Sequence, residues 1–306
     1  MFAKVEPSLD FDASTLPWID SASDAEIERY ASEHTSAPGA NLSALLKKWR
    51  DEGYVIFENV ARHDLIDAYL HDVNAVLTAH DLPIAVLHEK RGNTTLDRLD
   101  DEDLRERHMR LVDFHFSSEA GRDLAMSEVV TWFLGHVFRS RLVLKQSLTF
   151  MHGPEQWLHQ DFAYVRTSIP SHLCGVWYAL EDVVPAAGPL RFFPGSHVVE
   201  KFDFGNGLIF DEHSTRNDRE FGDYLEEKMK ARDWPERHFH AKKGDVLLWH
   251  SGLVHGSGVT RDPSLTRKSF VAHYSTPSSE GINEQRNSVH IRGYENSKLK
   301  DLFPRG

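Results

Sequence analysis

The chain has 306 residues, of which 40% are apolar and 27% charged, enough for one large domain with a sizeable core. Its formal net charge of −12 and pI near 5.9 argue against nucleic acid or an anionic membrane surface as partner. No apolar run reaches the roughly 18 residues that cross a bilayer, and the opening stretch MFAKVEPSLDFDAS lacks the basic start and apolar centre of a signal peptide.

The single cysteine, Cys174, excludes an intrachain disulfide and a thiolate zinc cluster. It lies in the apolar run HLCGVWYAL, where a buried, inert thiol is expected, and a reducing, cytoplasmic location follows. Residues 1–40 are acidic and irregular and are expected to form an arm on the outside. Asn41 is placed to cap a helix whose Leu42, Leu45, Leu46 and Trp49 recur at helical spacing, with Gly53 ending it. YVIFENV is expected as a strand. A second helix should carry Leu65, Ile66, Tyr69, Leu70, Val73, Val76 and Leu77 on one face. The charged segment LDRLDDEDLRERHMRLVDF is expected to be a solvated helix over its first half. Met126, Val129, Val130, Phe133, Leu134 and Val137 mark a further amphipathic helix.

After about residue 140 the pattern changes. LVLKQSLTF, WLHQDF, HLCGVWYAL, PLRFFPG, DVLLWH, GLVHGSG and RKSFVAHY are short, rich in β-branched and aromatic residues, and separated by Gly, Pro and Asp. The reading is a mainly β chain with flanking helices, a sandwich or jelly roll at its core. We expect one domain over 1–306: the arm 1–40, mostly helical support over 41–140, a β core over 141–275 and a tail over 276–306. A polar insertion at 201–240 is expected at one mouth of the barrel, as a lid or binding loop.

Within WLHQDF, His159 and Asp161 would share one face of a strand and offer a nitrogen and an oxygen to one metal ion. A lone His-x-Asp triplet is no more than chance supplies in a chain with 19 histidines. A second histidine from a distant strand is needed. Downstream candidates are His172, His197, His213, His238, His240, His250, His255, His273 and His290. His255 stands out in GDVLLWHSGLVHGSG, where glycines permit close backbone approach; His250 competes with it, and His238 with His240 is an alternative same-face pair. In TRKSFVAHY, Arg267 and Ser269 share a strand face and could hold a carboxylate.

LKKWRDEGYVIFENV, SLTFMHGPEQWLHQDFAYV, GVWYALEDVVPAAGPLRFFPGSH and GDVLLWHSGLVHGSGVTRDPSLTRKSFVAHY, in this order over about residues 42–275, resemble the phytanoyl-CoA dioxygenase family of iron(II)- and 2-oxoglutarate-dependent oxygenases. The resemblance implies a double-stranded β-helix (jelly-roll, cupin-like) fold. It implies His159, Asp161 and His255 as iron ligands, and Arg267 with Ser269 for the far carboxylate of 2-oxoglutarate. Trp177 and Ser257 would line the cosubstrate pocket. Gln146 would add a polar contact, with Lys145 or Thr149 as alternatives. The implied reaction consumes O2 and 2-oxoglutarate, releases succinate and CO2, and oxidises an unactivated C–H bond of a small molecule. Halogenating relatives carry a small residue in place of the acidic ligand, so Asp161 implies hydroxylation. A non-catalytic binding module on the same barrel, expected to have lost at least one residue of this set, and a zinc hydrolase, which would not need Arg267 to bind a ketoacid, are the alternatives.

Overall fold

The computed structural model describes residues 9–34, 40–105, 107 and 109–281. The first eight residues, most of the expected tail and the candidate His290 lie outside the described residues.

Seven helices among the described residues are α1 (Trp18–Ser21), α2 (Asp24–Ser32), α3 (Leu42–Glu52), α4 (His63–Ala79), α5 (Glu119–Ala125), α6 (Glu128–Phe138) and α7 (Asp218–Ala231). Asn41 caps α3 by accepting from the Ala44 amide at 3.1 Å, and Gly53 closes it at φ +74°, donating to the Trp49 carbonyl. Leu42, Leu46 and Trp49 of α3, and Ile66, Tyr69, Val73 and Val76 of α4, are buried as their spacing predicts. In α6 the buried stripe is Val130, Phe133, Leu134 and Val137. Met126 precedes that helix and is 59% exposed.

The strands are β1 (Tyr54–Phe57), β2 (Ala85–His88), β3 (Gly92–Thr95), β4 (Arg110–Val112), β5 (Val143–Phe150), β6 (Leu173–Ala179), β7 (Leu190–Phe192), β8 (Arg237–Phe239), β9 (Val246–His250), β10 (His255–Ser257) and β11 (Ser269–Ser275). Eight of them form one antiparallel sheet in the order β1-β9-β6-β11-β5-β4-β2-β3, and three form a second, β10-β7-β8. This is the jelly-roll core expected from the strand-rich second half. Alternation divides the large sheet into two faces. Leu111, Val176, Tyr178, Leu248, Phe270, Ala272 and Tyr274 pack into one apolar core with the helices. Arg110, Gln146, Leu148, Trp177, Trp249, Val271 and His273 point the other way and line a cavity of about 640 Å³.

Three expectations are corrected. Residues 1–40 contain α1 and α2, anchored by buried Ile19 and Ile27; the signal was the capping box Ser23–Glu26, whose side chains bond reciprocally. Among its described residues the charged segment forms no long helix. It makes two short 3₁₀ turns, Leu96–Arg98 and Asp103–Arg105, and then β4. Asp100 there accepts from the amides of Glu102 and Asp103, each at 2.9 Å, a local bond that competes with helical pairing. The polar stretch 201–240 holds α7 and β8, and Phe202, Phe204, Phe221, Leu225 and Met229 give it an apolar core of its own.

Candidate metal centre

WLHQDF is not a strand. His159 forms an isolated antiparallel bridge with His255, the two exchanging backbone hydrogen bonds at 2.9 and 3.1 Å, and Asp161 opens a 3₁₀ turn. The bridge still does what a strand was expected to do. Residues exchanging both bonds face the same side, so the two imidazoles lie with centroids 4.3 Å apart. Gly256 lets the segments meet, since a Cβ there would sit 3.0 Å from the Trp157 carbonyl oxygen. The turn then brings the Asp161 carboxylate between them, its Oδ1 3.8 Å from His159 Nε2 and 3.5 Å from His255 Nε2.

The outer atoms of this trio are occupied, leaving the inner ones free. His159 Nδ1 bonds the Trp157 carbonyl at 2.9 Å and His255 Nδ1 the Leu253 carbonyl at 3.0 Å. A carbonyl only accepts, so each Nδ1 carries the proton and each Nε2 presents its lone pair. Trp249 Nε1 donates to Asp161 Oδ2 at 2.7 Å, leaving Oδ1 for the centre. Burial, reinforced by neighbouring His255, pulls the His159 pKa down to about 4. Burial alone would raise Asp161, but the imidazoles of His255 and His273, and then His159, outweigh it and hold its carboxyl below the usual range. At neutral pH His159 is therefore neutral and Asp161 ionised. One ligand atom from each of His159, Asp161 and His255 lies within 4.8 Å of the others, a donor set suited to a divalent metal with sites left open.

Arg267, just ahead of β11, is buried and lines the same cavity. Its Nη1 donates to the Gly188 carbonyl, its Nε has no partner, and burial lowers its pKa to about 10. Trp177, Ser257 and Gln146 also line the cavity. Ser269 is buried with its hydroxyl unpartnered, but it is not among the lining residues. The competitors of Gln146 are engaged elsewhere: Lys145 pairs with Glu280 at 2.6 Å, and Thr149 bonds Tyr69 on the helix side. Three of the competing histidines are engaged away from the trio. His250 sits 3.3 Å from Asp20 of α1, His238 contacts Glu236 at 2.9 Å, and His197 bonds the Arg50 carbonyl.

Three cavity residues lay outside the sequence-based site. Trp249, in the strand DVLLWH, holds Asp161 through its indole. His273 Nε2 lies 3.4 Å from Asp161 Oδ2, and the even spacing of Arg267, Ser269, Val271 and His273 was the available signal. Arg110 fell in the second half of the charged segment, for which no element was expected.

A family model described as phytanoyl-CoA dioxygenase (PhyH) matches residues 49–269. The chain belongs to this family. A curated phytanoyl-CoA dioxygenase of Arabidopsis thaliana is 32% identical over 127 residues, covering 39% of this chain and 40% of that protein. A phytanoyl-CoA dioxygenase domain-containing protein 1 homolog of Caenorhabditis elegans is 26% identical over 154 residues, covering 47% and 48%. The matched stretch thus spans less than half the length of these curated family members. Among solved structures, EctD from S. alaskensis with 2-oxoglutarate and 5-hydroxyectoine superposes with a TM-score of 0.60 at 17% identity, over 94% of this chain and 92% of that one. The epimerase SnoN in complex with Fe3+, alpha ketoglutarate and nogalamycin RO gives 0.54 at 21%, over 83% and 85%. These likenesses share the jelly-roll fold seen here.

Proposed function

We propose that the chain is an iron(II)- and 2-oxoglutarate-dependent dioxygenase that hydroxylates an unactivated C–H bond of a small molecule. One juxtaposition carries the reading: a His-Asp-His trio with its inner lone pairs free faces the same cavity as a buried arginine that has no carboxylate partner among the described residues. His159, Asp161 and His255 would hold the iron. Arg267, with Ser269 beside it, would take the far carboxylate of 2-oxoglutarate, and Trp177, Ser257 and Gln146 would line its bed. An orphaned guanidinium is costly to bury and is satisfied by such a partner.

Bound together, iron and ketoacid supply the oxidising chemistry, in which O2 and 2-oxoglutarate are consumed, succinate and CO2 leave, and one oxygen atom enters the substrate. The chain's own residues position and shield. The Nδ1 protons of both histidines hold the rings in orientation, and the Trp249 indole holds Asp161. The aromatic walls exclude water from the centre. The single buried Cys174 supports a cytoplasmic setting, and no helix among the described residues is long and apolar enough to cross a membrane.

The test is an anaerobic titration of metal-free protein with iron(II) and then 2-oxoglutarate. A weak visible charge-transfer band should appear and be absent in Asp161→Ala and Arg267→Ala. If iron(II) or the ketoacid fails to bind wild type, the oxygenase reading is wrong, and a zinc enzyme or a binding module takes its place.

A further inference from the structure

The metal trio rests on a turn, and the turn rests on a residue of the first helix. Residues 250–255 lead from the end of β9 into β10, where His255 stands. Within them the Leu253 amide donates to the His250 carbonyl at 2.8 Å, and the Val254 amide to Ser196 Oγ at 2.8 Å. The Gly252 amide donates to His250 Nδ1 at 2.9 Å. Only glycine fits there without a shift, because a Cβ would stand 3.0 Å from the His197 carbonyl oxygen and 3.2 Å from His250 Nδ1.

Two carbonyls of this turn reach the trio. The Leu253 carbonyl accepts from His255 Nδ1 at 3.0 Å and sets the orientation of that ring. The Gly252 carbonyl accepts from the side-chain amide of Gln160, the residue between His159 and Asp161. Gln160 is fully buried, so this bond anchors the segment that carries the other two members of the trio.

Asp20 of α1 holds the imidazole at the base of the turn. His250 Nδ1 accepts from an amide, so the ring proton lies on Nε2, which faces Asp20 Oδ2 at 3.3 Å. The rings of Phe11, Trp49 and His197 pack around His250 with centroids 6.0, 6.2 and 5.2 Å away. His197 gives its Nε2 to the Arg50 carbonyl. Asp20 is itself fixed in place. It follows fully buried Ile19, and the neighbouring Trp18 indole donates to the His136 carbonyl at 2.9 Å. Ahead of α1, Phe11 lies edge-on to Phe162, the residue after Asp161, at 4.9 Å.

We propose that Asp20 is a positioning residue for the metal centre, acting through His250 and the Gly252 turn on Gln160 and His255. A purely structural acid would satisfy His250 Nε2 and stop there. Here the same ring uses its other nitrogen to hold the turn whose carbonyls orient the trio. The inference rests on the metal reading of His159, Asp161 and His255.

The experiment titrates metal-free protein with cobalt(II), following calorimetric heat and the visible ligand-field bands that report coordination. Wild type, Asp161→Ala, Asp20→Leu, Asp20→Asn and Gln160→Leu are compared, with Ile27→Ala on the buried face of α2 as a variant destabilised away from the turn. Asp20→Leu keeps the size and removes the acceptor. Its cobalt(II) affinity should fall about threefold to tenfold, less than for loss of a group bonded directly to a metal-binding side chain, and its bands should shift. Should Asp20→Leu not fold, Asp20→Ala removes the same acceptor and carries the same expectation. Asp20→Asn keeps an oxygen for His250 Nε2 and should recover most of the affinity. Ile27→Ala should melt lower and bind cobalt(II) as wild type does. Added to Gln160→Leu, Asp20→Leu should cost less than it does alone, because both act at the Gly252 turn. Unchanged affinity and bands in Asp20→Leu, a loss shared in full by Asp20→Asn, an equal loss in Ile27→Ala, or strictly additive losses would each overturn the proposal. If wild type binds no cobalt(II), or Asp161→Ala binds it equally well, the metal reading itself fails, so the two failures are distinguishable.

Discussion

The two faces of the large sheet use the same strands for opposite purposes. On the helix side buried strand polar groups find partners: Ser147 bonds His115 at 2.6 Å, Thr149 bonds Tyr69, and Tyr178 bonds Tyr274, which also donates to the Ala125 carbonyl. On the cavity side Ser269 Oγ, both ring nitrogens of His273, and the Nε atoms of Arg110 and Arg267 have no hydrogen-bond partner. Buried polar groups left unpaired cost about 1–3 kcal/mol each, so a face that collects them is shaped for something other than stability. The helix face holds the fold together, and the cavity face keeps donors free for ligands.

That division is sharpest where a change abolishes function without loosening the fold. Asp161→Ala removes the anionic member of the metal trio, and turnover should fall by at least about a thousandfold with iron(II) binding lost. The melting temperature of the metal-free protein should fall only modestly, because the change removes the burial cost of the carboxylate together with the imidazole and Trp249 contacts that outweigh it. A variant that binds iron as wild type does would break the assignment. The converse is Phe270→Ala on the helix side. Phe270 is fully buried against Tyr69 and Tyr178, with ring centroids 5.1 and 5.6 Å away. Truncation should cost about 3–5 kcal/mol in denaturant unfolding while folded molecules still bind iron.

A smaller effect is shared by the faces, since burial lowers His159 on the cavity side and His115 on the helix side alike. Burial pulls His115 down to about 4 from an ordinary value of 6.5, so the folded protein keeps it neutral while the unfolded chain takes up a proton. Its contribution is full above pH 6.5 and is lost as pH falls toward 4, amounting to about 3 kcal/mol. His115→Gln should flatten the fall in stability between those values without removing it, since burial and nearby His250 lower His197 in the same direction, to about 3. An unchanged slope in the variant would remove His115 from the account.

How much of this could be seen in the sequence differs between the faces for a physical reason. Helix-facing residues declare themselves by period, as Leu42, Leu46 and Trp49 do, because burial selects apolar side chains at regular spacing. The family motifs placed His159, Asp161, His255 and Arg267, and those four do line one cavity. The strand argument behind His159 and Asp161 was nevertheless wrong in form: a bridge and a turn bring them together where a ladder was expected. Arg110 was hidden because β4 is three residues long and follows a run of Asp and Arg with no period of its own. Its place in the cavity depends on pairing with β5, a contact between residues 40 positions apart, which no local pattern encodes.

The subtlest link between the faces is one glycine. Gly175 of β6 lies opposite Trp249 of β9 on one side and His273 of β11 on the other. A Cβ there would stand 2.4 Å from the Trp249 ring, so only glycine lets the indole lie across β6 and reach Asp161. Trp249→Phe keeps the apolar bulk and removes the donor to Oδ2. Iron(II) affinity should drop roughly tenfold to a hundredfold, the usual worth of a group that orients a metal-binding side chain. Gly175→Ala keeps the donor but displaces the ring, and should weaken iron binding in the same direction with an added loss of stability. The double variant should then be little worse for iron than either single one, because both act through the same hydrogen bond. Additive losses would instead mean that Gly175 serves packing alone and that Trp249 reaches the carboxylate without its help.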